Sequence, residues 1–99
     1  MQVFTTREEN KLTVKLNGQL DTAASIDFSK TLPMLLKDIT DITFDFSELD
    51  YITSAGLRLM LTTQKTIADR AGKMQIINLN DAVMDVFKMT HFNDILNVK

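Results

Sequence analysis

At 99 residues the chain is one domain, able to bury roughly 60–70% of the surface it exposes when unfolded, which suffices for one core and leaves little room for a deep enclosed active site. Its 44% hydrophobic and 24% charged residues exclude a disordered segment, and a net charge of −2 with no basic run excludes nucleic acid as a partner and points to a protein. The absence of cysteine removes disulfides, thiolate chemistry and zinc ribbons, while Met1 to Glu9 lacks a signal-peptide pattern and no apolar run approaches ~18 residues, so the expectation is a cytoplasmic protein without direct membrane insertion.

In chain order, Val3 and Phe4 precede the polar run Arg7-Glu8-Glu9-Asn10, after which Leu12, Val14 and Leu16 alternate with Thr13 and Lys15. That period of two predicts an antiparallel pair over 2–6 and 11–17, with an edge near Val3 and Phe4 that would permit a homodimer. Gly18 is expected to end the second strand, and Asp21 or Thr22 to cap a helix whose buried stripe is Ala24, Phe28, Leu32, Leu35 and Leu36. Pro33 interrupts it. The pattern admits a kink at Pro33 or two short helices with Pro33 in the first turn of the second.

Ile42, Phe44 and Phe46 alternate with Thr43 and Asp45 as a strand at the sheet centre, which places Asp45 near the strand's C-terminal end and beside the loop that follows. Leu57, Met60, Leu61, Ile67, Ala68 and Ala71 form the inward side of a second helix, with Arg58, Thr62, Lys65 and Asp69 outward and Gly72 as a left-handed closing residue. Met74, Ile76 and Ile77 predict a strand, and Asn80 caps a third helix carrying Val83, Val86, Phe87 and Thr90. A last short strand is expected near Ile95 to Val98. No repeat, linker or low-complexity segment appears, so residues 1–99 read as one α/β domain with a mixed sheet of four to five strands and helices packed on it.

The stretch with the most chemistry is Asp50-Tyr51-Ile52-Thr53-Ser54-Ala55-Gly56-Leu57-Arg58, a loop feeding a helix N-terminus. Unpaired backbone N–H groups and about half a positive charge gather there, so Ser54 can cap the helix or carry a phosphate group. Nucleophilic catalysis would need a base, and the only His, His91, falls at the end of the third helix. The carboxylates Asp21 and Asp45 make no metal set, and three scattered glycines make no phosphate loop, so the chain reads as non-catalytic, with no cofactor and no metal.

The segment from Ile42 to Leu57, an apolar strand, an acidic-apolar loop and then Ser54-Ala55-Gly56-Leu57, resembles the signature of the STAS family (sulphate transporter and anti-sigma factor antagonist domains). Asn17-Gly18-Gln19-Leu20-Asp21 resembles that family's Gly-x-Leu-Asp turn, and the order of elements extends the likeness over nearly the whole chain. The resemblance implies a STAS fold and, for a stand-alone domain, an anti-sigma factor antagonist. Such a protein binds an anti-sigma factor that is also a serine kinase, is inactivated when the kinase phosphorylates the loop serine, and is restored by a serine phosphatase. The acceptor then falls on Ser54, with Asp21, Asp45, Thr53, Ala55, Gly56 and Arg58 as the partner-binding surroundings. Thr53 stands where Asp is frequent in the family and is itself a second candidate acceptor. The alternative is a non-catalytic STAS subunit of a transporter, such as a lipid-transport ATPase complex, that docks without phosphorylation. An all-helical acyl carrier is disfavoured by the three strand patterns.

Overall fold

The computed structural model describes residues 1–99. Its elements are β1 (Gln2–Glu8), β2 (Lys11–Leu20), α1 (Thr22–Leu35), β3 (Asp41–Ile52), α2 (Ser54–Asp69), β4 (Lys73–Ile77) and α3 (Asp81–Met89), followed by a 3-10 turn over Phe92–Asp94. The sheet order is β1-β2-β3-β4; β1 and β2 are antiparallel, and β2, β3 and β4 are parallel because a helix returns the chain between each pair. The mixed α/β architecture expected from the sequence is the one observed.

The alternation along the parallel strands shows how the layers are arranged. Leu12, Val14 and Leu16 on β2, Ile42, Phe44 and Phe46 on β3, and Met74 and Ile76 on β4 are buried, while Thr13, Thr43, Asp45 and Gln75 between them reach solvent. In register, Leu12 lies beside Ile42 and Ile42 beside Met74, so the apolar side chains share one face. All three helices cover that face: Phe28 of α1 meets Phe44 edge-on at 6.5 Å between ring centroids, Phe46 meets Phe87 of α3 at 6.5 Å, and Leu57, Met60 and Ile67 of α2 join the same core. The result is a two-layer domain with one polar, open sheet face. Parallel strands are usually covered on both faces and read as continuous apolar runs, and the period of two here is the signature of the missing layer.

Several expectations are corrected. β2 continues through Gly18 to Leu20, because two register shifts, between Lys15 and Asn17 and between Gly18 and Gln19, absorb the irregularity; Gly18 takes φ +113° there. β3 runs six residues past Phe46 to Ile52, so the expected acidic loop is strand, bent enough that Leu49 and Ile52 return to the core at spacings of three. Helix α1 neither splits nor stops at Pro33, which is exposed and lies in the last turn, where the helix ends two residues later. Beyond it, Ile39 is fully buried in a connection that carries no periodic pattern, and Arg70 ties this connection down by donating to the Leu36 and Ile39 carbonyls.

On α2, Ala68 and Ala71 are exposed, and the buried stripe instead includes Thr63, whose hydroxyl donates to the Leu59 carbonyl at 2.8 Å. The helix closes with Ala71 N–H bonded to Ala68 O and Gly72 N–H to Ile67 O, both at 2.9 Å, the Schellman pattern. Ala71, rather than Gly72, occupies the left-handed position, with φ 57°. Gly72 is required for a different reason: a Cβ on it would lie 1.8 Å from the Thr40 carbonyl oxygen, where the chain crosses from α2 into β4. The final strand is reduced to one parallel bridge between Ile76 and Val98, held by Ile76 N–H to Asn97 O and Lys99 N–H to Ile76 O. That bridge lies against β4, whereas β1 at the opposite edge has every residue exposed.

Two substitutions at the α2–β4 junction separate these effects. Ala71→Gly is expected to raise stability by about 0.5–1 kcal/mol, the relief of left-handed strain less the added freedom of the unfolded chain. Gly72→Ala is expected to cost about 3 kcal/mol or more, since backbone must move to admit the methyl group. Urea unfolding of both variants beside the parent checks the sign and the contrast.

Candidate functional site

The ends of β2 and β3 place the site. Leu20 pairs with Ile52 at the C-terminal edge of the sheet, and the next residue of each strand begins a helix: Asp21 is the N-cap of α1 and Thr53 the N-cap of α2. Two helix N-termini therefore emerge side by side at the edge where open α/β sheets place their functional loops. The seam is narrow. Thr53 N–H donates to the Leu20 carbonyl at 3.1 Å, its hydroxyl reaches the same oxygen at 3.4 Å, and a Cβ on Gly56 would stand 2.8 Å from that carbonyl and 2.8 Å from Ile52.

The caps differ. Asp21 Oδ1 accepts from the Ala24 N–H at 2.8 Å, and Asn80 Oδ1 accepts from the Val83 N–H at 2.7 Å, so α1 and α3 have side-chain caps. Thr53 makes no such bond. Ser54 is the first helical residue of α2 and not its cap, so the capping role open to it in the sequence is not the one it takes. Its side chain is exposed, while the hydroxyl of half-buried Thr53 turns toward Leu20. Ala55 is half-buried, Gly56 buried, and Arg58 exposed one turn further along.

Asp45 is placed elsewhere. Because β3 extends to Ile52, Asp45 lies in mid-strand, with seven residues, on the order of 20 Å of extended chain, before the strand ends. On the open sheet face its Oδ1 accepts from the Ser47 N–H at 2.9 Å and from Asn78 Nδ2 at 3.1 Å, with Lys15 nearby. Burial, the largest single influence, pushes its carboxyl up. The Ser47 backbone, Asn78 amide, Ser47 hydroxyl and Lys15 charge together outweigh burial and hold it below the ordinary 3.8. Asp45 thus stabilises the bend in β3 and does not flank Ser54. Beside it, Glu48 bridges Lys15 at 3.3 Å and accepts from Asn17 at 2.7 Å; as partners of Asp45, Lys15 and Asn78 carried no sequence signal because they come from distant segments of the chain, whereas Ser47 lies two residues along the same strand.

His91 lies past the end of α3 with φ 60°, exposed, its Nδ1 3.8 Å from Asp94. One residue near the site went unnoticed in the sequence. Ser25 is 5% exposed between α1 and the neighbouring α2, and its hydroxyl has no partner. Its spacing of three before Phe28, on the stripe of Phe28 and Leu32, is the signal that could have shown it.

The sheet, open on one face, and the exposed serine at a helix N-terminus without a side-chain cap define a small two-layer α/β domain with a candidate surface site. The chain belongs to the STAS family: the STAS domain model matches residues 3–99. It is 25% identical over 99 residues to the anti-sigma-B factor antagonist of Staphylococcus aureus, covering 99% of this chain and 92% of that protein. Among solved structures, it superposes on an anti-sigma factor antagonist from Mycobacterium paratuberculosis with a TM-score of 0.85 at 13% identity, covering 98% of this chain and 83% of that one. The Bacillus cell fate determinant SpoIIAA in its phosphorylated form superposes with a TM-score of 0.76 at 18% identity, covering 99% and 91%.

A depressed carboxyl pKa stabilises the fold above the unfolded value, and the contribution is lost as pH falls through the folded value. For Asp45 the window lies below about pH 4. Asp45→Asn is therefore expected to be less stable than the parent at pH 7, with the difference shrinking as the pH is lowered beneath that point. Urea midpoints of the two proteins across pH 2–7 (on the order of that range, set by carboxylate titration) measure it. A difference independent of pH would show that the Asp45 charge contributes nothing to holding the bend.

Proposed function

We propose that this chain is a non-catalytic anti-sigma factor antagonist whose switch is Ser54. Unphosphorylated, it binds an anti-sigma factor that is also a serine kinase; phosphorylated on Ser54, it is released, and a serine phosphatase restores the binding form. The observation that carries this reading is the exposed Ser54 hydroxyl at the start of α2, in a chain that matches curated anti-sigma-B factor antagonists over 92% of their length. In the transfer, the Ser54 Oγ–phosphorus bond forms as the bond between the γ-phosphorus of ATP and ADP breaks, and the hydroxyl proton passes to a base on the kinase.

The physics of the site supports a switch. The Ser54 hydroxyl makes no hydrogen bond within the chain, so its modification breaks no side-chain hydrogen bond of the folded domain. A phosphoryl group adds about −1.5 to −2 charge, and at a helix N-terminus the dipole and free N–H groups tolerate it. The fold is expected to survive. A partner packed over α2 meets the same group differently, because the dianion must lose its water beside Asp21, the carboxylate next to it across the β2–β3 seam. Loss of about 2.7 kcal/mol weakens binding a hundredfold. Ser54 is preferred to Thr53 because the Thr53 hydroxyl is half-buried and turned toward Leu20, whereas Ser54 faces solvent.

With the host's anti-sigma serine kinase and ATP, mass spectrometry is expected to find phosphate on Ser54 in the parent and in Thr53→Val, and none in Ser54→Ala. Calorimetry is expected to show Ser54→Ala binding the kinase as tightly as the parent, and phosphorylated protein or Ser54→Glu binding about a hundredfold or more weaker. A folded Ser54→Glu and a phosphorylated parent that both bind like the unmodified protein would overturn the proposal.

A further inference from the structure

We infer that the free edge of β1 pairs with β1 of a second copy of this chain, two-fold and antiparallel, so that two sheets join into one. The inference goes beyond the Ser54 reading and does not depend on it. β1 lies at the end of the sheet, paired on one side only, to β2, and every one of its residues is exposed. The edge is also unguarded. Edges that stay single are ordinarily short, bulged, interrupted by proline or studded with lysine, whereas Gln2 to Glu8 pairs with β2 without a register shift and contains neither proline nor lysine. The opposite edge differs, since the C-terminal segment lies along β4 through the Ile76–Val98 bridge.

The side chains along this edge favour a second copy. Val3, Thr5 and Arg7 stand beside Leu16, Val14 and Leu12 and so share the helix side of the sheet, while Phe4 shares the open face with Lys15. α1 packs on β2 and leaves β1 uncovered, so a groove of about 210 Å³ remains, lined by Met1, Val3, Ala24, Asp27, Phe28 and Thr31. Its one charged side chain, Asp27, has no ion pair in the chain. Pairing β1 with itself over its full length puts Thr5 on the two-fold axis, with Val3 opposite the second copy's Arg7 and Gln2 opposite its Glu8. No like charges meet. The incoming Arg7 enters the helix side at the level of Val3, next to the groove that holds Asp27. It has a donor to spare, because Nε and Nη1 are bonded to the Glu9 and Lys37 carbonyls at 3.1 and 3.0 Å and Nη2 is free. The two-fold repeats this match, and it sets Phe4, 52% exposed in the single chain, diagonal to its symmetry mate. The charge match is supplied by the chain's own sequence, which argues for a second copy over a foreign strand. Ser54 stays uncovered, because α1 stands between β1 and α2.

Sedimentation velocity of the full chain across micromolar to millimolar concentrations is expected to show reversible conversion to twice the chain mass. Asp27→Lys, at an exposed position that leaves the fold alone, is expected to raise the dimer dissociation constant about tenfold, since each dimer holds the pair twice. Asp27→Glu is expected to restore it. The chain has no cysteine, so an introduced one reads the register. In the Thr5→Cys protein the two sulfurs face each other across the axis within disulfide reach, and mild oxidation is expected to cross-link it. In the Glu8→Cys protein they lie on the order of 20 Å apart and stay reduced. A chain that remains monomeric over the whole range would overturn the pairing, as would a Glu8→Cys protein that cross-links as readily as Thr5→Cys. Hydrogen exchange supplies a third outcome: β1 amides protected only when the anti-sigma kinase is added to a monomeric chain would assign the edge to that partner and overturn the dimer. Ser54→Ala is expected to dimerise like the parent, which keeps this result apart from the switch.

Discussion

The close approach of α2 to the end of β2 is the constraint on which the site depends. The Leu20 carbonyl receives the Thr53 N–H, and the third helical residue, Gly56, passes so near that no side chain fits between helix and strand. That contact sets the height of the first turn of α2 above the sheet and leaves Ser54 outside it. A bulkier residue at Gly56 would push the turn outward, and Leu57, which is buried one residue later, would leave the core with it. The accessibility of Ser54 and the burial of Leu57 are thus two sides of one packing arrangement.

The same arrangement separates the fold from the proposed switch. The core is a single cluster on one face of the sheet, and its aromatic spine from Phe28 through Phe44 and Phe46 to Phe87 runs beneath the helices. Ser54 belongs to none of it. A group that changes charge by almost two units can be added at a helix N-terminus without competing with the packing that holds the domain together. The fold alone does not choose this function, since a fold serves many sites; the serine, its exposure and the helix behind it make the argument.

Much of the domain was legible in the residues because its layers are simple. Period-two alternation at Leu12, Val14 and Leu16 and at Ile42, Phe44 and Phe46 identified strands with one open face, and Asp21 and Asn80 announced the helices they cap. The acidic stretch from Ser47 to Asp50 was misread as loop because a strand that bends loses its period. Asp45 was consequently set at a strand end, when its bonds to Ser47 and Asn78 fasten the bend itself. Ala71 was passed over for Gly72 because a Gly after a helix suggests a left-handed residue, whereas the demand at Gly72 is for space beside Thr40.

The sequence by itself determined the element order, the one-sided core and the serine at the mouth of the second helix, all set by local pattern and by the short-range preferences of Asp, Asn, Ser and Gly. Tertiary structure decided what depends on two chain segments meeting. It made Thr53 the cap and Ser54 the first helical residue, turned the Thr53 hydroxyl toward Leu20, and moved Asp45 away from the site. It also set Ser25 of α1 and Arg58 of α2 along the walls of one groove. The physical reason is range: capping and periodicity act over a few residues, whereas contacts between residues some thirty positions apart exist only once the sheet has set the helices side by side.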